Sequence, residues 1–391
     1  MSKRSEKIWE QQNHQWRDPA QVVGLFEPDA ADEARLLQCK TIGPWWKLLS
    51  EAGIRLIVSR EYEHLLLMLG AEKNSPEISY LRLPHPSGIA VDQKNHFVYV
   101  ASTRNPNQVF TFQPIAGMFF RKEKKNFSLS RVNDKPLIPV RTNFYPGSLY
   151  IHDLSVMGEK LYATATGHNM VVELLPKGGY LPRWWPRCVD HKGAPRNEAN
   201  YLQLNSIAAG KGIRNSFFSA SASAISCNSP RDPDFQVDHR GVIFSAKNGA
   251  PICGGLTRPH SARQYQGKIW VDNSGYGEIG YIDGDRFKVV AQLPGWTRGL
   301  CFHGGIAFVG TSRILPRFER FAPGLNIKEC FCGVHAVELK SGNILASLRW
   351  PQGNQVFAIE SLSKSFASGL PKTFCPAGGK DDCKNLFYAY K

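Results

Sequence analysis

One unit recurs along this chain. It has a small or polar start, a short apolar strand, a turn that often carries glycine, and a second strand rich in Tyr, Trp, Phe and Val that ends in Ala, Ser, Asn or Thr. HPSGIAVDQKNHFVYVAST (85–103), HDLSVMGEKLYATAT (152–166) and NSIAAGKGIRNSFFSASAS (205–223) are three copies. HSARQYQGKIWVDNSG (260–275) and TRGLCFHGGIAFVGTS (297–312) are two more, and IRLIVSREYEHLLLMLG (54–70) is a divergent opening copy. Further strand-like runs follow, such as GEIGYID (277–283) and GVHAVEL (333–339). Six copies spaced by roughly 40 to 70 residues fit four-stranded blades with variable insertions, the arithmetic of a β-propeller. A sandwich would not repeat the same start-and-end chemistry. The expected fold is therefore all-β, a six-bladed propeller with seven blades as the alternative.

Outside the repeat, TIGPWWKLLSEA (41–52) has Pro44 near its start, apolar residues at helical spacing and Gly53 as a stop, which predicts a short helix. This divides the chain into an N-terminal polar and helical extension (1–52), a propeller (53–360) and a tail (361–391). The stretch 333–360 is expected to close the ring with the N-terminal strands, and the strand that does so is not readable from the pattern.

Apolar residues at 42 % and charged residues at 21 % exclude disorder as the main state. No apolar stretch is long enough for a membrane helix, and MSKRSEKIWEQQNHQW lacks the apolar core of a secretory signal, so a cytoplasmic location is expected. Lys and Arg number 48 against 33 Asp and Glu, a net charge of +15 that suits anionic ligands or partners, or is a solvated basic surface. The densest basic run, Arg121 to Lys125, comes without a nucleic-acid motif. Nine cysteines include no C-x-x-C pair, and Cys330-Phe331-Cys332 has the wrong spacing for a zinc knuckle. Most are expected to be reduced and buried; Cys375 and Cys383 can bridge only in an oxidising setting.

Side chains alternate along each blade's innermost strand, so the repeat predicts a ring of residues about the axis. Aligned on Ile89, Leu154, Ile207, Ala262 and Leu300, the residue two places earlier is Ser87, His152, Asn205, His260 or Arg298. Four places earlier stand His85, Tyr150, Gln203, Arg258 and Trp296. All ten are polar or aromatic, and no carboxylate is among them. The opening copy is too divergent to align; Ser59, Arg60 and Tyr62 are its polar candidates.

Such a ring favours an anion, or a carboxylate or phosphate group on a larger ligand, because guanidinium offers forked donors. Its imidazoles can also ligate a divalent transition metal (zinc, iron or copper) or carry protons. The candidate catalytic residues are His152, His260, Arg298 and Tyr150. The candidate substrate-binding residues are Arg258, Asn205, Gln203, Ser87, Trp296 and Arg263, and the candidate metal ligands are His152, His260 and His85. A wet channel lined with polar residues for structural reasons alone remains open beside these.

Other constellations are weaker. Asn273 to Glu278 (NSGYGE) reads as a tight hairpin whose glycines supply positive φ. It is not a nucleotide loop, since no G-x-G-x-x-G and helix follow, and no flavin signature is present. Ser221, Ser223 and Ser226 lack a nucleophile-elbow context. Asp232 and Asp234 fit a proline-rich loop better than a calcium site.

TRPHSARQYQGKIWVDNSGYGEIG, LPGWTRGL, AFVGTSR and CGVHAVELKSGNILASLRW, with LLSEAGIRLIVSREY, PSGIAVD and IHDL upstream, resemble a bacterial family of conserved hypothetical proteins of propeller type and no established function. The resemblance covers about residues 45–360. It implies importance for His152, His260, Ser261, Arg263, Asn273, Glu278, Arg298 and Gly299. The family's His-Leu-Asn-Gly segment reads Gln203-Leu204-Asn205-Ser206 here, which removes one possible ligand. At fold level alone the chain is similar to six-bladed lactonases, peptidyl-hydroxyglycine lyases and strictosidine-synthase-like proteins, several of which hold an axial metal; fold does not carry function.

Two readings follow. One is an enzyme of lyase or hydrolase type acting on an anionic or amide-bearing small molecule or peptide. The other is a non-catalytic propeller scaffold for an acidic partner, using residues 117–127 and the tail.

Overall fold

The computed structural model describes residues 30–104, 106–116 and 135–374. The basic run at 121–125, the 117–127 segment as a whole, Cys375 and Cys383 lie outside them. Among the described residues, six antiparallel sheets stand around one axis, the six-bladed alternative of the two expected.

The closure is interleaved. Blade 1 takes its innermost strand, Ala358–Ser363, from the C-terminal part of the chain, and it pairs antiparallel with Ile54–Arg60, followed by Leu65–Glu72 and Ser75–Arg82. Lys372–Phe374 adds a fifth, outer strand. The strand Ala358–Ser363 thus runs past residue 360, where the sequence pattern placed the start of the tail. Blades 2 to 6 begin with inner strands Pro86–Asp92, Ile151–Met157, Leu204–Ala208, Pro259–Tyr265 and Trp296–His303. At the N-terminal side Lys40–Ile42 joins the outer edge of blade 6 against Ile344–Arg349. The helix Trp45–Ala52 buries Trp45 and Leu49 against blades 1 and 6, and ends at Gly53 with φ of 64°.

Adjacent blades are tied by polar side chains. Ser59 Oγ donates to the Ser87 carbonyl (2.6 Å), Ser87 Oγ to Ile151 (3.0 Å) and Thr166 Oγ1 to Leu204 (2.6 Å). Asn205 Nδ2 donates to Pro259 (3.0 Å), Ser274 Oγ to Thr297 (2.7 Å) and Ser312 Oγ to Val356 (3.2 Å). All six junctions carry such a latch, and each satisfies a carbonyl at the entry of an inner strand. Buried carbonyls there would otherwise lack partners, because the inner strand is paired on one side only.

The apolar core lies between the blades, in seven clusters spread around the ring. The axis itself is left polar. Among the described residues no helix is long and apolar enough to cross a membrane.

Candidate functional site

The site begins with backbone geometry. His85, Tyr150, Gln203 and Arg258, the residues just before the inner strands of blades 2 to 5, all have left-handed φ, from 44° to 53°. That conformation costs a non-glycine residue about 1–2 kcal/mol, and its repetition at one position of the unit marks a turn that the fold imposes. From these turns and the first strand residues, side chains gather in a chamber of about 80 Å³. Tyr150, His152, Gln203 and Arg258 line it, with His260, Trp296 and Arg298 from blades 5 and 6.

Blade 1 supplies its share from the closing segment. Gln355 lines the chamber, and the Phe357 ring packs against His152 (5.5 Å between centroids), His260 (6.1 Å) and the Arg298 guanidinium (3.3 Å). The residues equivalent to the ring positions in the sixth copy are therefore Gln355 and Phe357. Of the three candidates in the opening copy, only Tyr62 lines the chamber. Ser59 is a latch, and Arg60 is buried against Trp350 and the Leu36 carbonyl.

The chamber holds a carboxylate, contrary to the expected ring. Glu61 accepts from Thr103 Oγ1 and faces Arg104 at 3.8 Å. With the Gln355 amide oriented to satisfy both ends, its nitrogen donates to Glu61 Oε2 (3.0 Å) and its oxygen accepts from Arg298 Nη1 (2.9 Å). Arg298 Nη2 meets His152 Nδ1 at 3.5 Å. A guanidinium can only donate, so His152 Nδ1 is the acceptor and the neutral ring carries its proton on Nε2.

Burial holds both imidazoles neutral. Desolvation, then the positive charge of Arg298, drives the pKa of His152 and of His260 well below the usual 6.5. Burial also lowers that of Arg298, and brings Arg258 down to about 9, still cationic at neutral pH. Four buried nitrogens of this chamber have no hydrogen-bond partner among the described residues: Arg258 Nη1, Arg298 Nε, Trp296 Nε1 and His152 Nε2. Buried donors are rarely left so.

Four expected site residues lie elsewhere. Ser87 and Asn205 are spent on the latches. His85 packs its ring on His64 (4.2 Å), and its backbone N–H donates to His64 Nδ1, so it does not join the other two imidazoles. Arg263 sits further along the inner strands, bonded to Asp153 Oδ2 (2.8 Å), Asp153 Oδ1 (3.3 Å) and Glu360 Oε1 (3.4 Å). It borders a separate cavity of about 320 Å³. There burial pushes the Glu360 carboxyl up to about 7, against the pull of Arg263.

The donor set does not suit a divalent cation. Among the described residues no three His, Cys, Asp or Glu side chains are grouped to hold one. A metal-ligating histidine donates its second ring N–H to an acceptor, whereas the second nitrogen of His152 faces a donor.

Several residues of the expected family pattern prove to shape the strands. Ser261 Oγ accepts from Gly299 N (2.8 Å). Asn273 Oδ1 accepts from Thr257 N (2.7 Å), and its Nδ2 donates to Glu278 (2.8 Å). Cys330 and Cys332 are buried free thiols, with burial pushing them up to about 11 and about 12.

Six blades about an axis with a buried cationic chamber define the class: a six-bladed propeller with an axial pocket. Residues 43–369 match the model of DUF4915, a domain of unknown function, and the chain belongs to that family. The expected resemblance to an uncharacterised propeller family is met over nearly the expected span. None of the curated proteins matches the chain. Among solved structures, the chain is similar to one in a nidogen–laminin complex, at 10 % identity over 79 % of this chain and 99 % of that one, with a TM-score of 0.52. A Bacteroides caccae protein of unknown function matches at 9 % identity (79 % and 98 % covered, TM-score 0.48). A Xanthomonas campestris gluconolactonase matches at 13 % (83 % and 84 % covered, TM-score 0.45). At such identities the likeness is one of fold alone.

Proposed function

We propose that this protein is an enzyme whose axial chamber binds the anionic group of a small molecule and works on it by proton transfer, in reactions of lyase or hydrolase type. The observation that carries this reading is the set of four buried, unpartnered N–H groups on Arg258, Arg298, Trp296 and His152. Donors fixed in a desolvated site stabilise negative charge at little reorganisation cost. His152 serves there as a donor through Nε2–H. His260, neutral and 5.7 Å from it between ring centroids, is the proton carrier. A bound anion adds negative charge beside His260 and lifts its proton affinity toward the working range. Tyr150, under the Arg231 guanidinium at 4.4 Å, brings a phenolic hydroxyl to the same chamber. No step in this reading runs through a metal.

Isothermal titration with a panel of small anions, acetate and phosphate included, tests the binding. At least one should bind, and Arg298→Met should weaken it tenfold or more without loss of the thermal transition. Failure of every anion at low salt would overturn the reading. For catalysis, a panel of lactones, esters and phosphoesters is the screen. His260→Asn should abolish any turnover found while anion affinity stays within a few-fold.

A further inference from the structure

We infer that the group this chamber is built for is a tetrahedral dianion, a phosphoryl head, rather than a carboxylate. This rests on the anion-binding reading above and narrows its substrate class.

Donor geometry is the first argument. A carboxylate is planar and is best met by the parallel N–H pair of one guanidinium. Arg298 gives one N–H of Nη1 to Gln355 and one of Nη2 to His152, which fixes the guanidinium in place, and its Nε has no partner among the described residues. The remaining donors, Arg258 Nη1, Trp296 Nε1 and His152 Nε2–H, come from blades 5, 6 and 3. Donors arriving from three different blades suit an acceptor whose oxygens point in several directions.

Charge is the second. Arg258, Arg298 and Arg313 line the chamber, and Glu61 is its one lining carboxylate among the described residues, which leaves a surplus of two positive charges. The surplus is felt: Arg298 and Arg320 add to the lowering of the Arg258 pKa, and Arg258 and Arg320 lie over the same Phe321 ring at 4.5 and 4.3 Å. A monoanion leaves half of that surplus in place. A dianion removes it.

Size agrees. A space of about 80 Å³ holds a few water-sized groups, enough for a head group and not for a whole metabolite. The remainder of the ligand lies toward the stacked Tyr62 and Phe318 rings, 6.4 Å apart, which also border the chamber.

The test is calorimetric competition at pH 7.5 and low salt between phosphate, sulfate, acetate and formate. Phosphate should bind at least tenfold tighter than either carboxylate, with sulfate as a second tetrahedral dianion for comparison. Arg258→Met should cost that ion tenfold or more, and Trp296→Phe, which keeps a ring and removes the N–H, a few-fold with an unchanged melting temperature. Acetate or formate binding as tightly as phosphate and sulfate would overturn the inference and leave the anion pocket standing. An anion affinity untouched by both substitutions would place binding outside this chamber and overturn it as well. Binding of none of the four ions would overturn both readings.

Discussion

Each terminal nitrogen of Arg298 gives an N–H to the protein, one to Gln355 and one to His152, and this choice shapes the site more than the charge alone does. It fixes the tautomer of His152, and through Gln355 it ties the guanidinium to Glu61 without letting the two charges meet directly. An arginine neutralised by a carboxylate would have less attraction left for a ligand. Gln355→Leu keeps the bulk and cuts the link, so we expect anion affinity to fall at least tenfold as Arg298 loses its orientation; titration calorimetry reads this directly. Proton uptake is a second expectation at this scale. His152 and His260 are held well below 6.5 by burial and by Arg298. Sulfate, a dianion that does not titrate at pH 6, reverses part of that push, so its binding there should take up protons, seen as an enthalpy that varies with buffer ionisation heat. The uptake should vanish in His260→Asn.

At the scale of elements, the inner strands do two jobs, and different residues of each strand do them. Side chains at the strand entries build the chamber or the latches, and residues further along bury the core. Ser59 joins three strands: it donates to the Ser87 carbonyl and accepts from Ala358 N at 3.0 Å. Ser59→Ala should cost about 1–3 kcal/mol in chemical denaturation, since two buried partners lose their bond. Gly299 has φ of 87°, and a Cβ there would come within 3.0 to 3.2 Å of Ile359 and Ala358. Gly299→Ala should destabilise by about 1–3 kcal/mol. It should also weaken anion binding, because the residue beside it is Arg298 and Phe357 immediately precedes the strand it would push.

At the scale of the molecule, ring closure joins residues 299 apart in the chain, Ser59 with Ala358. Contacts of such range form late and depend on the rest of the ring. Removing residues 351–391 should abolish a cooperative thermal transition, because blade 1 loses its inner strand and the chamber loses Gln355 and Phe357; circular dichroism on heating is the check. Acid should also loosen the ring. Burial lowers His64 to about 3, His85 and His335 to about 4, and His152 and His260 well below 6.5. In the unfolded chain these imidazoles take up protons through 6.5, so the unfolded state binds more protons and stability falls as pH drops below that value. Glu360, raised to about 7, and Asp272, also raised, act in the opposite sense, two carboxyls against five imidazoles. For His335 alone the loss from pH 6.5 to 5 amounts to about 1.5 kcal/mol, and His335→Asn should flatten the pH dependence of the unfolding free energy measured in urea by about that much.

The repeat in the sequence was enough for the blades and their order, with seven blades still open beside six, because a strand buried on both faces must be apolar and must end in turn chemistry wherever it occurs. The polar strand entries were legible for the same reason: His152, His260, Arg258 and Arg298 break an apolar pattern at one place in the unit. What each entry residue does was not legible. Ser87 and Asn205 occupy the same repeat position as His152 and His260, yet they latch neighbouring blades, since a short side chain reaches only the adjacent carbonyl while a longer one reaches the axis. Glu61, Gln355 and Phe357 had no repeat signature to betray them. Glu61 follows the second strand of its blade, and the other two belong to a copy split between the ends of the chain. Only ring closure brings residue 61 against residue 355, and that contact decides how Arg298 points and where the proton of His152 sits.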